Sequence, residues 1–221
     1  MKRWLIILFA VILVAGCAGI PFQETSFVSM ESVDPQAVLE SFRDSSPERF
    51  QLLNTIVFQY RFNQFMALGY IDVNVNEKSF RVVSMNPMGV KLFELSGDKD
   101  NVVSHFVMPE LEKRGNVAAF IGMDIKRIYF DLVPSSQAKI EKKKLKIIFR
   151  QSSGQGIMEY VFAGVNGNLI EKKYYENDTL IWQISYYEYQ QDKGKLYPGG
   201  IVFKSFKYGY SLIVKLKEIR G

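Results

Sequence analysis

The sequence predicts a mainly β protein with helices, an α+β domain. In it a strongly curved antiparallel sheet forms a half-open β-barrel with a helical lid across its mouth. Three observations predict this. From Thr55 onward, apolar and polar residues alternate with period two through roughly ten short segments. The segments follow one another through short turns, the order of a meander. One stretch, Asn116 to Leu132, interrupts them with apolar residues at helical spacing. A sheet with one wet face must have its other face covered, and a partly closed sheet with a helix across it leaves an interior suited to an apolar ligand. A completely filled core fits the same pattern, because Phe58, Tyr60, Phe62, Trp182 and Tyr186 can either line such a cavity or plug it.

The chain begins with a basic pair, Lys2 and Arg3, followed by the apolar run Trp4 to Val14, which is too short and wrongly flanked for a membrane span. Residues 1–16 read as a signal peptide. Cys17 closes "VAGC", whose small-residue spacing resembles the bacterial lipobox and makes Cys17 the residue to be lipidated. It is the single cysteine, so a disulfide is excluded and the mature domain depends on its core. Residues 17–33 form the lipidated cysteine and a tether, and residues 34–221 form one domain. By analogy with Gram-negative lipoproteins, in which aspartate after the cysteine goes with inner-membrane retention, Ala18 implies an outer-membrane anchor and a domain facing the periplasm.

Asp34 as N-cap and Pro35 at the first helical position start a helix with Val38, Leu39 and Phe42 on one face. Ser46 and Pro47 repeat the device and predict a second helix start. Strands follow. Phe58, Tyr60 and Phe62 alternate with Gln59, Arg61 and Asn63, and Ile71, Val73 and Val75 alternate with Asp72, Asn74 and Asn76. Further strands lie at about 80–85, 90–95 and 102–108, with "GDKDN" as a turn between the last two. In the helical stretch Phe120, Ile121, Ile125 and Ile128 fall on one side, and Gly122 is expected to weaken or break the helix. Strands resume at about 145–150, 158–163, 169–175, 180–189, 201–207 and 211–217.

The formal charge of +5 falls to +3 when Lys2 and Arg3 are removed, leaving 26 basic against 23 acidic residues. The excess is concentrated in "KIEKKKLK", Lys139 to Lys146, read as a solvated hairpin edge protected from aggregation. Nothing resembles a nucleic-acid module. Catalytic chemistry has few carriers. Ser104 and His105 are strand neighbours pointing to opposite faces, so they cannot act as nucleophile and base. One histidine and one modified cysteine make no zinc set, and the glycines flanking Gln155 are a weak phosphate cradle. Glu159, Glu171 and Glu188 occupy alternating positions where a solvated face is expected. The sequence therefore implies a non-enzyme without cofactor.

The pieces resemble the Lol-pathway lipoproteins, the superfamily of lipoprotein carriers and outer-membrane receptors. "NPMG", Asn86 to Gly89, is similar to that family's Asn-Pro-Leu-Gly turn, with Leu92 and Leu95 in the strand after it. "FIGMDIKRIYFDLVP" is similar to its Gly-Met-Pro-Ile-Pro helix start, with Gly122, Met123 and Ile125 in matching places, and "YPGGIVFKSFKYGYSLIVKLKEI" to its closing hairpin. Two departures mark the chain as a divergent relative: Asp124 stands where the family tends to proline, and the first strand region is longer and more aromatic. The resemblance implies a membrane-anchored protein that binds acyl chains of a lipoprotein or other amphiphile and helps deliver it to the outer membrane. It also implies a periplasmic carrier as donor, membrane lipid as partner, and a membrane-inserting turn made of Pro87, Met88 and Gly89. The helix around Phe120, Ile121, Ile125 and Ile128 is the implied lid. A non-transport envelope lipoprotein with a filled core is the alternative.

Overall fold

The computed structural model describes residues 20–113 and 115–220. The signal peptide, Cys17 and Ala18 lie outside the described residues. The elements run α1 (Pro35–Ser45), β1 (Arg49–Tyr60), β2 (Asn63–Asn74), β3 (Ser79–Met85), β4 (Lys91–Gly97), β5 (Val102–Val107), α2 (Pro109–Glu112) and α3 (Val117–Tyr129). They continue with β6 (Lys139–Lys143), β7 (Lys146–Ser153), β8 (Gly156–Ala163), β9 (Asn168–Glu176), β10 (Thr179–Asp192), β11 (Lys195–Ser205) and β12 (Tyr210–Arg220). The strands form one sheet in the order β5-β4-β3-β2-β1-β12-β11-β10-β9-β8-β7-β6. All pairings are antiparallel, and the ends β5 and β6 do not meet, so the barrel is half-open.

Register shifts bend the sheet. They fall at Leu53/Asn54 against β12, Ser84/Met85, Glu94/Leu95, Val161/Phe162 and Leu180/Trp182. Each bulge adds a residue to one strand and increases the local twist. The curved sheet closes over a core on its concave face. Phe50, Ile71, Phe80, Leu95, Phe149, Phe162, Ile184 and Phe203 point inward from eight strands. From the helices, Val38, Leu39 and Phe42 of α1 and Ile125, Ile128 and Tyr129 of α3 join them. Full burial of each such side chain is worth about 1.5–3 kcal/mol.

Most of the predicted elements are present, and the differences have local causes. Asp34 caps α1 as expected, its carboxylate accepting from the Gln36 amide at 3.1 Å. Ser46 does not start a second helix. It closes α1, its hydroxyl donating to the Phe42 carbonyl at 2.7 Å, and Pro47 leads into β1, where Phe50 and Leu52 already alternate inward. Sheet periodicity thus begins at Arg49 and not beyond Thr55. The strands number twelve among the described residues, not ten. Pro198, Gly199 and Gly200 are part of β11, paired with β10, where sequence reading started that strand only at Ile201. The lysine-rich hairpin is β6–β7, and β6 is indeed an outer edge of the sheet. Glu159 departs from expectation: its side chain is nearly buried and paired with Arg150 at 2.8 Å.

The expected tether is packed as a strap against the sheet, with Phe22 on the convex face and Met30 buried in the core. Phe22 stacks on Tyr187 with ring centroids 5.5 Å apart and lies against Gly200, where any Cβ would collide with its ring. The Gln23 amide donates to the Glu188 carboxylate at 2.8 Å, and the Met30 amide to the Lys144 carbonyl at 2.7 Å.

Gly122 does not break α3, which is continuous from Val117 to Tyr129. Its role is close approach: a Cβ there would lie inside the contact distance of the Val102 methyls. Alanine favours a helix interior by about 1 kcal/mol over glycine, whereas overpacking costs about 1–3 kcal/mol. Gly122→Ala is therefore expected to destabilise, and Val102→Ala to rescue it. A double-mutant cycle by chemical denaturation checks this, and simple additivity would show that the contact does not matter.

Candidate functional site

The site is the mouth of the half-barrel and the helix α3 set into it. A helix leaves its last carbonyls without partners, and buried carbonyls need donors. The sheet supplies them. Lys172 of β9 is fully buried, and its ammonium donates to the carbonyls of Arg127 at 2.9 Å and Phe130 at 2.6 Å. The Tyr186 hydroxyl of β10 donates to the Ile128 carbonyl at 2.9 Å. Burial pushes the Lys172 ammonium down to about 7, with the nearby Asp131 carboxylate opposing the shift. A cation at a helix C-terminus also complements the helix dipole.

The middle of α3 is latched by a polar pair over aromatic rings. Asp124 is buried, bonded to Arg127 at 3.1 Å, and accepts from the Tyr210 hydroxyl at 2.5 Å. Burial pushes its carboxyl up to about 6, against the Tyr210 and Arg127 hydrogen bonds. Arg127 in turn lies over Trp182, 5.6 Å from the ring centroid. Beneath the helix the rings of Phe58, Tyr210, Phe203, Trp182 and Tyr174 follow one another at 5.5, 5.8, 6.3 and 5.7 Å. They come from β1, β12, β11, β10 and β9, five strands adjacent in the sheet, so they form one aromatic row.

The N-terminal half of α3 is held differently. Asn116 caps it, accepting from the Ala119 amide at 3.1 Å. Phe120 meets Tyr208 of the rim edge to face at 5.4 Å, and Gly122 packs closely on Val102 of β5. Both rings are exposed to solvent by more than two fifths. Burial therefore rises along the helix from the clasp to the clamp.

The predicted residues divide between these places. Ile125, Ile128 and Trp182 are buried in the core, and Ile121 and Phe58 are packed against it or over it. Phe120 is the clasp and Tyr60 is half exposed. Phe62 does not line the interior: it occupies the β1–β2 turn beside Arg61, whose φ is 53°, and is fully exposed. The turn Pro87, Met88, Gly89 is rigidly built. The Asn86 side chain accepts from the amides of Met88 at 3.0 Å and Val90 at 2.9 Å, and Gly89 has φ 83°, a conformation that suits glycine. Met88 stands 84% exposed. Core side chains occupy the interior, and two surface clefts, of about 260 and 380 Å³, are polar. Sequence reading did not find Lys172, Arg127 or Tyr210. Asp124 was visible only as a departure from the family pattern.

The half-open sheet with a helix set into its mouth is the LolA-like fold. Several solved structures share it, three of which follow. A LolA superfamily protein, NE2245 from Nitrosomonas europaea, aligns with a TM-score of 0.55 at 13% identity, over 86% of this chain and 94% of that one. A domain assigned to an outer membrane lipoprotein-sorting protein of Vibrio parahaemolyticus gives 0.55 at 11% identity, over 83% and 90%. A DUF1329 family protein from Desulfovibrio piger gives 0.54 at 9% identity, over 85% and 93%. By sequence the chain belongs to the family described as protein of unknown function DUF3261, whose model matches residues 54–218. No curated protein matches it.

The latch carries a pH dependence. The Asp124 carboxyl is raised in the folded state, so its stabilising contribution is fully present below about pH 4 and is lost as pH rises through about 6. Relative to Asp124→Asn, which keeps the shape and an acceptor oxygen, the parent protein is expected to lose roughly 3 kcal/mol across that interval. Parallel denaturation curves from pH 4 to 7.5 check this. A constant difference between the two proteins would contradict it.

Proposed function

We propose that the protein is an envelope lipoprotein, anchored through Cys17 on the periplasmic side of the outer membrane, that takes up acyl chains of a lipoprotein or another lipid-linked amphiphile and helps pass them to the bilayer. The observation that carries this reading is the asymmetric fastening of α3 over an aromatic row in a LolA-like half-barrel. A periplasmic carrier is the natural donor, and membrane lipid the acceptor. The exposed Met88 turn, rigid and apolar, is suited to touch the bilayer during transfer.

Magnitudes indicate how the lid would move. An aromatic pair such as Phe120 with Tyr208 is worth about 0.5–1.5 kcal/mol, whereas each hydrogen bond from a charged donor such as Lys172 is worth about 1.5–3 kcal/mol. The clasp therefore releases before the clamp, and α3 pivots about its C-terminal turn. An acyl chain then replaces Ile121 and Phe120 over the aromatic row. The reading includes no covalent step. His105 bonds Ser96 at 2.7 Å across the exposed faces of β4 and β5, an arrangement that a strand-face histidine adopts without catalysis.

A second reading is favoured by one specific observation, the packed interior. In it the protein is an interaction lipoprotein that tethers an envelope complex and binds no amphiphile. A fluorescent fatty-acid probe separates the two. The transport reading expects saturable binding, strengthened when Phe120→Ala and Tyr208→Ala loosen the clasp. No binding by either protein would leave the tether.

Replacing the turn residue, Met88→Glu, is expected to leave thermal stability and probe binding unchanged while slowing transfer of bound probe to vesicles. Unchanged transfer would remove the turn from the mechanism.

A further inference from the structure

In an antiparallel meander alternate turns emerge at the same end of the sheet. The β1–β2, β3–β4 and β11–β12 turns therefore share one end with the N-terminus of α3, which the Phe120 to Tyr208 contact confirms. The β1–β2 hairpin extends past β3, and the β11–β12 hairpin ends level with it. The pairing of β1 with β2 continues to Tyr60 and Asn63, while β2 pairs with β3 only as far as Leu68 with Met85. Residues 63–67 of β2 thus extend beyond the end of β3. The tip is apolar: Phe62 is fully exposed, and Phe65 and Met66 are about half exposed. Phe206 and Tyr208 stand half exposed on the β11–β12 turn, at the side where β12 pairs with β1.

The charges carried by the two hairpins themselves have one sign, although Asp178 of the β9–β10 turn shares this end of the sheet. From Arg49 to Ile71 the sequence holds no acidic residue, and from Lys193 to Lys217 it holds none either. Arg61 sits at the hairpin turn, while Lys204 and Lys207 flank Phe206. Apolar side chains with cations beside them match a bilayer with anionic headgroups, where each cation near the surface adds attraction.

The strap sets the orientation. Phe22 is seated at Gly200, five residues along β11 from Ser205, and Cys17 is five residues ahead of Phe22. Five extended residues reach about 17 Å, and five strand residues rise about as far. A lipid on Cys17 is therefore able to enter a membrane level with the hairpin tip. We propose that the β1–β2 hairpin, through Phe62, Phe65 and Met66 with Arg61 and Lys207 beside it, is a bilayer-inserting finger that docks the barrel mouth on anionic lipid. The inference rests on the lipid anchor at Cys17 and is independent of whether the interior takes up a ligand.

The test uses the full lipidated protein in vesicles, labelled with an environment-sensitive fluorophore at Phe62→Cys, or at Val165→Cys on the opposite end as the control. In vesicles containing phosphatidylglycerol, the Phe62 label is expected to shift to the blue and to be quenched by lipids carrying a nitroxide at shallow depth. The Val165 label should remain in water. Arg61→Ser with Lys207→Ser, or high salt, should reduce the quenching. A Phe62 label as wet as the Val165 label would overturn the proposal, as would equal insertion into neutral phosphatidylcholine for the charged role. A blue shift in detergent-free buffer without vesicles would assign the finger to a second copy of the chain instead. A failed fatty-acid probe experiment, by contrast, would leave these readouts untouched.

Discussion

An unclosed sheet has a concave face that its own strands cannot cover, and in this protein α3 covers it. The helix brings Ile125, Ile128 and Tyr129 into the core, but it also brings the carbonyl groups of its last turn into a place without water. Unpaired there, each would cost about 1–3 kcal/mol. The sheet answers with Lys172 and the Tyr186 hydroxyl. A fully buried lysine is ordinarily unfavourable, since desolvation penalises the ammonium. Two carbonyls and a helix C-terminus make the position tolerable, and in return the helix end is fixed to β9 and β10.

The rest of the mouth follows from that fixed end. Asp124 lies one turn before the clamp and meets Arg127 and Tyr210, and Phe120 lies a further turn away, its ring set edge to face on Tyr208 of the rim. Attachment thus weakens stepwise from the interior to the water. A helix fastened in this way has a defined pivot and a defined direction of release. The carboxyl in the middle, held up near 6 by burial, makes the proposed release sensitive to the protonation of one group.

Most strands and turns, and the existence of α1 and α3, were legible because period two and period 3.6 are local patterns. The register of Pro198 to Gly200 was not, because glycine and proline signal a turn whether or not a neighbouring strand, and here the Phe22 ring, requires close approach. Ser46 and Pro47 misled for a related reason: the same residues that start a helix also end one. Lys172 lay beyond reach. It alternates with neighbours on a strand rich in lysine, and only the arrival of α3 from 42 residues earlier makes it a helix clamp. The two departures from the family pattern were the most informative features of the sequence. Asp124 became the latch, and the long aromatic first region became the protruding hairpin.

A packed interior is compatible with moving acyl chains, and the reason is energetic. A chain entering beneath α3 exchanges protein side chains for methylenes, one apolar environment for another, so little of the roughly 0.8 kcal/mol per methylene measured against water is retained on leaving for a bilayer. A preformed empty cavity would hold its ligand by filling a void, and release would then restore the void at further cost. Side chains that close behind the departing chain remove that cost. The structure that would be poor for storage is therefore suited to exchange, provided that the mouth opens where the acceptor lies. The end that carries the clasp of α3 is also the end that carries the apolar turns, so the weakest fastening and the greasiest surface coincide.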